Sequence, residues 1–459
     1  MTIGFFLWDI DSVKDVLLSI LQLLITSSWI YLFIVSLKSH FVTPIIIQKQ
    51  KRKTLSKYLE KMRRNRITKY SRSGIYNPFP LVSVIVSARN EEAHIEKCLS
   101  SLLAQSYPNL EVIAIDDNST DATLRIMKDI KRTRHMLPLG RLKIISLNDK
   151  PGNWNGKTWA SQQGYLQSCG SLLLFTDADT EYTNKDTILL TVSYIQEKNF
   201  DVLTGIPYLE LRDFWSRIVM PLWNLFSEVF GASISDVINP KSNVAYLMGS
   251  FFMIRRRVFE DVGTFQSVCN SIQEDKALGM RIKKAGYDIN VVKVDEIVSA
   301  LWSRDLTSLW HGIGRSLAHI AIESRSRLVK SLLIIFMMAA LPFLVLPYTV
   351  LITVQQIWLT YPSEFLFIRL ILLLFLNTLS CLLVITGTAI KAIKKYRLTP
   401  AYSILSFIGA MFLIVAYLTS IIPLMMSIQT RPVIWRGRTY IYNVKRRRVS
   451  GINVKETTL

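Results

Sequence analysis

Apolar runs of two lengths alternate along the chain and predict two kinds of element. Val16–Leu37 is 22 residues without a charge, and at about 1.5 Å per residue it crosses a bilayer core of roughly 30 Å. It exceeds the apolar part of a signal peptide and no small-residue cleavage site follows, so a retained anchor is expected. Ser331–Ser363, Leu370–Ile390 and Leu398–Thr430 are likewise uncharged and predict further spans. The first and last of these are longer than one crossing needs. Pro342 and Pro347 are placed to kink the one, and Pro400 and Pro423 to bound the other.

After the anchor the apolar stretches shorten to strand length and alternate with helical patterns, the order of a parallel α/β sheet. Leu81–Val86 reads as a buried strand ended by Ala88-Arg89-Asn90-Glu91-Glu92. Ile95, Cys98, Leu99, Leu102 and Leu103 mark one face of a helix that stops at Tyr107-Pro108-Asn109. Glu111–Ile115 is the next strand and runs into Asp116-Asp117-Asn118-Ser119-Thr120-Asp121, where Ser119, Thr120 or Asp121 is placed to cap a helix. Leu142–Ser146 and Leu172–Phe175 continue the series, with a helix from about Thr158 to Ser168 between them. Open α/β sheets bind ligands beyond the carboxyl ends of their strands, and polar clusters follow Val86, Ile115 and Phe175 at three such ends.

The chain has 459 residues, 50% hydrophobic and 19% charged. That excludes a disordered chain and speaks against a purely soluble enzyme. Its net charge of +21 first points to a nucleic-acid partner, but the location of the charge argues against one. Ser73–Lys330 holds 29 Lys and Arg against 28 Asp and Glu, whereas 38–72 holds 12 against 1 and 431–459 holds 8 against 1. Basic charge beside apolar runs marks the cytosolic loops of a membrane protein. Asp9, Asp11 and Asp15 precede the anchor and Lys49–Arg72 follows it, which sets the block after it in the cytosol. Four spans by counting leave the C-terminus outside, while the tail's Arg431, Arg436, Arg438 and Lys445–Arg448 favour the inside. A transporter is disfavoured, since the spans carry almost no ionisable residues. Cys98, Cys169, Cys269 and Cys381 lie far apart without C-x-x-C spacing, so neither a disulfide framework nor a zinc site is indicated.

Candidate chemistry sits at the strand ends. In Thr176-Asp177-Ala178-Asp179-Thr180, two carboxylates at i and i+2 after a strand suit a hard divalent cation whose other ligands are water and phosphate oxygens. Such an ion would stabilise charge developing on a diphosphate leaving group. Asp116 and Asp117 suit the neutral donors of a base and ribose; an Asp-rich turn and helix cap is the plainer alternative. Asn155-Gly156-Lys157 offers backbone N–H groups and a cation for phosphate, without the spacing of a P-loop. Gln273-Glu274-Asp275 opens a helical pattern, where acids serve either the helix dipole or general-base chemistry. Trp310 and Arg315 lie five residues apart on a predicted interfacial helix, suited equally to anchoring and to a substrate. Phe214, Trp215, Trp223 and Phe226 with Pro221 read foremost as packing, with a membrane-surface or acceptor-groove role as the alternative.

With these residues in order, the chain resembles the membrane-anchored glycosyltransferases of family 2, over about residues 80–320. The resemblance implies an α/β GT-A fold, Rossmann-like with a mostly parallel sheet, as a cytosolic domain flanked by transmembrane helices. Ser83–Glu92 is similar to the family's opening strand and loop, with Ser87 in place of the more usual Pro, and implies donor contacts at Ala88, Asn90 and Glu91. Ile113–Asp121 resembles the stretch holding base and ribose, which implies Asp116 and Asp117. Gly156 and Lys157 resemble the segment that completes the donor pocket. Phe175–Asp179 matches the metal-binding D-x-D, implying Asp179 as direct ligand to Mg²⁺ or Mn²⁺, with Asp177 on the metal and donor side. Gln273-Glu274-Asp275 is similar to a Thr-Glu-Asp motif and implies Asp275 as base, with Glu274 beside it. Gly249, Ser250 and Gly263 fit the acceptor-side segment.

The Q-x-x-R-W of polysaccharide synthases is absent. Trp310–Arg315 resembles the variant of single-transfer members, among them hopanoid-associated, carotenoid and ceramide-type lipid glycosyltransferases, and Trp435-Arg436-Gly437-Arg438-x-Tyr440 points the same way. The expected organisation is an anchor over 1–37, a basic linker over 38–75 and a GT-A domain over 76–325. A region of about three membrane helices over 326–430 and a basic tail over 431–459 complete it. The expected function is inverting transfer of one sugar from a UDP- or GDP-sugar to a lipid or lipid-linked acceptor, in a multi-pass protein of the cell membrane. The rivals are a processive polysaccharide synthase and an inactive membrane scaffold with a sugar-nucleotide fold.

Overall fold

The structure is a computed structural model that describes residues 20–31, 79–133, 141–230, 234–271, 273–358, 364–425, 430–435 and 438–443, with single positions 17 and 34. The predicted linker 38–75 lies outside the described residues, as do 436–437 and 444–459 of the tail. Packing separates two compact units. One comprises Met1–Phe41, Leu211–Gly231 and Ser303–Ile428; the other comprises Val42–Glu210, Ala232–Trp302 and Gln429–Leu459.

The second unit is built on a seven-stranded sheet. Its first four strands are β1 (Val82–Ala88), β2 (Leu110–Asp117), β3 (Leu142–Leu147) and β4 (Leu172–Asp177). After β5 (Thr180–Glu181) come β6 (Val202–Ile206), β7 (Tyr208–Leu211), β8 (Phe252–Arg255), β9 (Ile289–Lys293) and β10 (Ser299–Ser303). The sheet order is β3-β2-β1-β4-β8-β6-β9, and β5-β10-β7 form a small second sheet. All pairings in the large sheet are parallel except those of β8, which runs against both β4 and β6. A sheet covered on both faces calls for continuous apolar strands rather than alternation. Accordingly all eight positions of β2 are buried. This is the mostly parallel α/β GT-A sheet expected.

Register carries the site. Ala88 pairs with Asp116 and Ser87 with Asp177, so the polar ends of β1, β2 and β4 finish level with one another. Because β8 is antiparallel, with Phe252 opposite Phe175, the residues just before it arrive at the carboxyl end of β4. Those residues are Gly249 and Ser250, and Thr176 Oγ1 fastens them by donating to the Ser250 carbonyl at 2.8 Å. The helix Gly156–Leu166 lies close on the sheet: a Cβ on Gly164 would fall 2.6 Å from Ile115 Cδ1 and 2.7 Å from Ile85 Cγ2.

A buried carboxylate locks the far end of the sheet. Glu111 Oε1 accepts from Ser83 Oγ at 2.6 Å and from the Cys169 N–H at 2.6 Å, and Oε2 takes Lys143 Nζ at 2.8 Å. Burial pushes the Glu111 carboxyl upward, but Lys143, Ser83 and the Cys169 N–H prevail and hold it below the ordinary glutamate range. Its stabilisation is therefore complete above the ordinary glutamate range and is lost as pH falls through the lowered folded value. Glu111→Gln is expected to lower unfolding free energy by about 2 kcal/mol at pH 7 and to remove part of the acid sensitivity. Denaturant unfolding of both proteins across pH 3–7 checks it.

In the other unit, Arg325–Trp358, Phe367–Tyr396 and Pro400–Ile422 are helices long and apolar enough to cross a membrane. The described part of the first predicted span is the shorter apolar helix Ile20–Tyr31. It is held by interhelical hydrogen bonds: Gln22 Nε2 donates to Ser380 Oγ at 2.9 Å, and Trp29 Nε1 to the Met338 carbonyl at 2.9 Å. A π-helical turn at Phe336–Ala340 precedes Pro342, whose ring would otherwise clash with the preceding turn. Outward-facing Leu351, Ile357, Trp358, Ile368 and Phe375 are exposed, an apolar surface suited to lipid. The aromatic stretch forms the helix Phe214–Phe230, where Trp215 meets Phe412 at 6.2 Å and Trp223 meets Tyr417 at 6.4 Å. Its packing partners thus lie among the apolar helices of its own unit.

Candidate active site

The loops after β1 and β2 are knitted together. Asn90 and Asn118 both take left-handed backbone (φ 53 each), a conformation asparagine tolerates better than most residues. Asn90 Oδ1 accepts the Thr120 N–H at 2.9 Å, and the Asn90 N–H donates to Ser119 Oγ at 3.0 Å. Glu92 and Asp121 exchange backbone bonds in the same way, with Glu92 N–H to Asp121 Oδ2 at 3.1 Å and Ala122 N–H to Glu92 Oε2 at 2.9 Å. Asp121 is the residue that caps the following helix, accepting the Thr123 N–H at 3.0 Å. Asn90 therefore shapes this corner, and Glu91 joins it by donating its N–H to Thr123 Oγ1 at 2.8 Å, while Ala88 is buried in β1.

At the end of β2, Asp116 and Asp117 are 2% and 5% exposed. Asp116 Oδ1 is buried with no hydrogen-bond partner, an open acceptor of the kind a bound donor group would satisfy. Arg89 Nη1 donates to the backbone carbonyls of Asp117 at 2.7 Å and Asn118 at 2.6 Å. Burial raises the Asp117 carboxyl, opposed by the nearby charges of Arg438, Arg89 and Lys150.

The second cluster forms around Lys157. Asn155 caps the helix through Oδ1, accepting the Lys157 N–H at 3.1 Å, so the helix starts at Gly156, earlier than apolar periodicity alone indicates. Asn155 N–H donates to the Cys269 carbonyl at 2.7 Å and Asn155 Nδ2 to the Ser271 carbonyl at 3.2 Å. These bonds staple the segment leading into Gln273-Glu274-Asp275 onto the start of the Lys157 helix. Lys157 Nζ then pairs with Asp177 Oδ1 at 2.6 Å and Glu274 Oε1 at 3.1 Å. Burial alone would depress the ammonium, but Asp177, Glu274 and Asp275 outweigh it and hold Lys157 well above the ordinary lysine range. Lys157 is a fixed cation.

Gly249 stands against this cluster. A Cβ there would lie 2.8 Å from Lys157 Nζ and 3.6 Å from both Asp177 Oδ2 and Asp275 Oδ2. Four of the residues singled out in the sequence thus meet at one point. Gly249→Ala is expected to fold normally, because only the flexible end of Lys157 must yield, and to lower turnover about tenfold by displacing that charge from its acids. Paired melting curves and initial rates check it.

Asp179 lies two residues beyond the end of β4, and its backbone carbonyl accepts the Leu301 N–H at 3.3 Å. Among the described residues no group of three or more His, Cys, Asp or Glu is arranged to hold a metal ion. Hard divalent cations that stay partly hydrated need only one or two protein carboxylates when substrate phosphates supply the rest. The donor set at Asp177 and Asp179 is of that kind. Cys98 lies behind it, its Sγ 3.7 Å from the Asp177 carbonyl; burial and then Asp179, Glu91 and Asp177 push its thiol far up, so it stays protonated. Trp310 and Arg315 belong to the other unit, on the helix Leu306–Glu323, where Trp310 packs edge-on against Phe412 at 5.4 Å. Arg89, Lys150 and Arg438, which border the β2 end, were not singled out for the site from sequence. Arg89 sits inside the polar cluster after β1, and Arg438 inside the segment Trp435–Tyr440 that resembles single-transfer members, so both carried a readable signal; Lys150 carries none in its local sequence.

Acidic residues and one lysine thus gather at the strand ends of a mostly parallel sheet, as the resemblance implies. Residues 83–263 match the family described as glycosyl transferase family 2. Among curated relatives, 4,4'-diaponeurosporenoate glycosyltransferase of Staphylococcus aureus is 23% identical over 255 residues, 55% of this chain and 65% of the relative. The aligned region thus spans just under two thirds of that relative's length. Among solved structures, a mannosyltransferase from Pyrobaculum calidifontis in complex with GDP-Man and Mn²⁺ covers 88% of this chain and 99% of its own, at 16% identity and TM-score 0.45. Staphylococcus aureus TarS 1-349 in complex with UDP-GlcNAc covers 79% and 97%, at 17% identity and TM-score 0.36.

Proposed function

We propose that the chain transfers a single sugar, with inversion, from a UDP- or GDP-sugar to a hydroxyl-type oxygen of a lipid or lipid-linked acceptor. The observation that carries this reading is the convergence of Lys157, Asp177 and Asp275 on Gly249 at the carboxyl end of β4, with Glu274 paired to Lys157. Asp275 takes the acceptor proton; the freed oxygen attacks the anomeric carbon; the nucleoside diphosphate leaves from the opposite face. Each bond made is matched by one broken, and the configuration inverts without a covalent enzyme intermediate. Lys157, held protonated, keeps Asp177 and Glu274 in place and faces the donor's phosphates with positive charge. Asp177 and Asp179 are the residues that would hold Mg²⁺ or Mn²⁺, which when bound supplies charge that stabilises the diphosphate leaving group. Asp116 and Asp117 serve base and ribose, with Asp116 Oδ1 the open acceptor.

The relative named for diaponeurosporenoate supports a lipid acceptor, and so do the apolar helices of the other unit. Multi-pass insertion in the cell membrane with the sheet unit in the cytosol belongs to the same proposal and rests on the placement of basic charge. The test is release of UDP or GDP from a panel of nucleotide sugars by the full-length protein in detergent, with and without total lipid extract. Lipid-dependent release is expected. No release with any donor, or release indifferent to lipid, overturns the reading.

A further inference from the structure

The end of the chain comes back to the β2 strand end. Thr430–Trp435 (β11) and Arg438–Asn443 (β12) pair as an antiparallel hairpin, with Trp435 opposite Arg438. The hairpin belongs to the same compact unit as the sheet. Arg438 is 5% exposed. Its Nη1 pairs with Asp117 Oδ2, and its Nη2 donates to the Asp117 backbone carbonyl at 3.5 Å. The partners are 321 residues apart in sequence, so no local requirement of the strand or the turn brings them together.

A buried ion pair is weak grounds for stability, because desolvating both charges offsets much of their attraction. The balance of charge is also uneven. Arg438, Arg89 and Lys150 all act on Asp117, and Lys150 Nζ is held beside it by the carbonyls of Pro151 at 3.2 Å and Trp154 at 2.8 Å. Three cations thus face one carboxylate, next to the open acceptor Asp116 Oδ1. Burial and then repulsion from Arg438, against the attraction of Asp117, lower Lys150 to about 8. An excess of buried and half-buried positive charge beside an open acceptor is complementary to a group with hydrogen-bond donors at one end and anionic phosphate at the other.

We propose that the C-terminal hairpin is part of the donor site: Arg438 is a positioning residue that orients the Asp117 carboxylate for the nucleotide and, with Lys150, supplies charge toward its phosphates. This rests on the function proposed above, since it presumes that the β2 end receives a nucleoside diphosphate. It makes the tail, which in sequence reads as basic charge and as a segment resembling single-transfer members, a requirement for donor binding.

The test measures binding of UDP and GDP by calorimetry, with Mn²⁺, to the full-length detergent-solubilised protein, followed by donor KM and kcat. Arg438→Gln is expected to weaken nucleotide binding at least tenfold and to raise donor KM by a similar factor, with kcat changed less than threefold. Arg438→Lys, which keeps the charge but not the fork, is expected to recover part of the affinity. Lys150→Met tests the charge contribution separately and is expected to weaken binding without disturbing the Arg438 pair. Unchanged or tighter nucleotide binding by both Arg438 variants, with the wild type binding normally, overturns the role of the hairpin alone. Tighter binding would show Arg438 occupying the donor's place. A wild-type protein that binds neither UDP nor GDP overturns the function reading itself and the hairpin's role with it.

Discussion

Asp275→Asn is expected to lower kcat at least about 10²-fold while leaving nucleotide affinity within about twofold, because a general base typically contributes a factor of that order or more. Asn keeps the shape of Asp and the acceptor for the Lys276 N–H, which meets Asp275 Oδ1 at 2.7 Å. Lys157 retains Asp177 and Glu274 as partners in the variant. The fold and the donor subsite therefore stay as they are, and only the atom that receives the acceptor proton is lost. Single-turnover rates beside calorimetric binding separate the two quantities. Normal turnover in Asp275→Asn would remove Asp275 from the role of base.

Lys157→Met is expected to act on both binding and stability. It removes the ammonium that Asp177 and Glu274 share and the positive charge that Lys157 sets near Asp275. Removing one partner of a buried ion pair costs several kcal/mol when fully enclosed. The Lys157 side chain is 25% exposed, so solvent screening reduces the expected loss to about 2 kcal/mol. The sign with pH follows from the raised folded value. Stabilisation by Lys157 is full below the ordinary lysine range and is lost as pH rises from there through the raised folded value, because the unfolded chain's lysine gives up its proton first. Wild type and Lys157→Met should therefore differ in melting temperature at pH 7 and draw together at strongly alkaline pH. Donor KM should rise at least tenfold in the variant at pH 7.

Much of the sheet unit is legible from local pattern. Leu81–Val86, Glu111–Ile115, Leu142–Ser146 and Leu172–Phe175 all fall on strands, because a sheet covered on both faces writes itself as unbroken apolar runs. The polar clusters at their ends could be aligned without knowing the register, since parallel strands in successive βαβ units finish on the same side. Asp116, Asp117 and Asp177 stand out on that ground, and Lys157, Glu274 and Asp275 at predicted helix starts; the structure gathers Lys157, Asp177 and Asp275 around Gly249, with Glu274 paired to Lys157.

What was not legible depends on contacts between distant residues. Nothing local in Phe252–Arg255 marks β8 as the antiparallel strand that delivers Gly249 to β4. The ammonium of Lys157 reads from sequence as a phosphate ligand, and its pairing with two acids appears only once the Cys269–Ser271 segment is stapled to Asn155. Phe214–Phe230 lies between strands in sequence, yet it packs with the apolar helices of the other unit. Arg438 sits in a basic tail whose charge is accounted for by the membrane, so its pairing with Asp117 is hidden among other cations of the same sign.

The central claim is that the chain adds one sugar to a lipid, and mass spectrometry of the products tests it most directly. The full-length protein in detergent is supplied with UDP- and GDP-sugars, Mg²⁺ or Mn²⁺, and total lipid extract. The account predicts a new lipid heavier by one sugar residue, formed with wild type and missing with Asp275→Asn. A ladder of added units would contradict single transfer, and the absence of any glycosylated lipid with every donor would contradict the transfer itself.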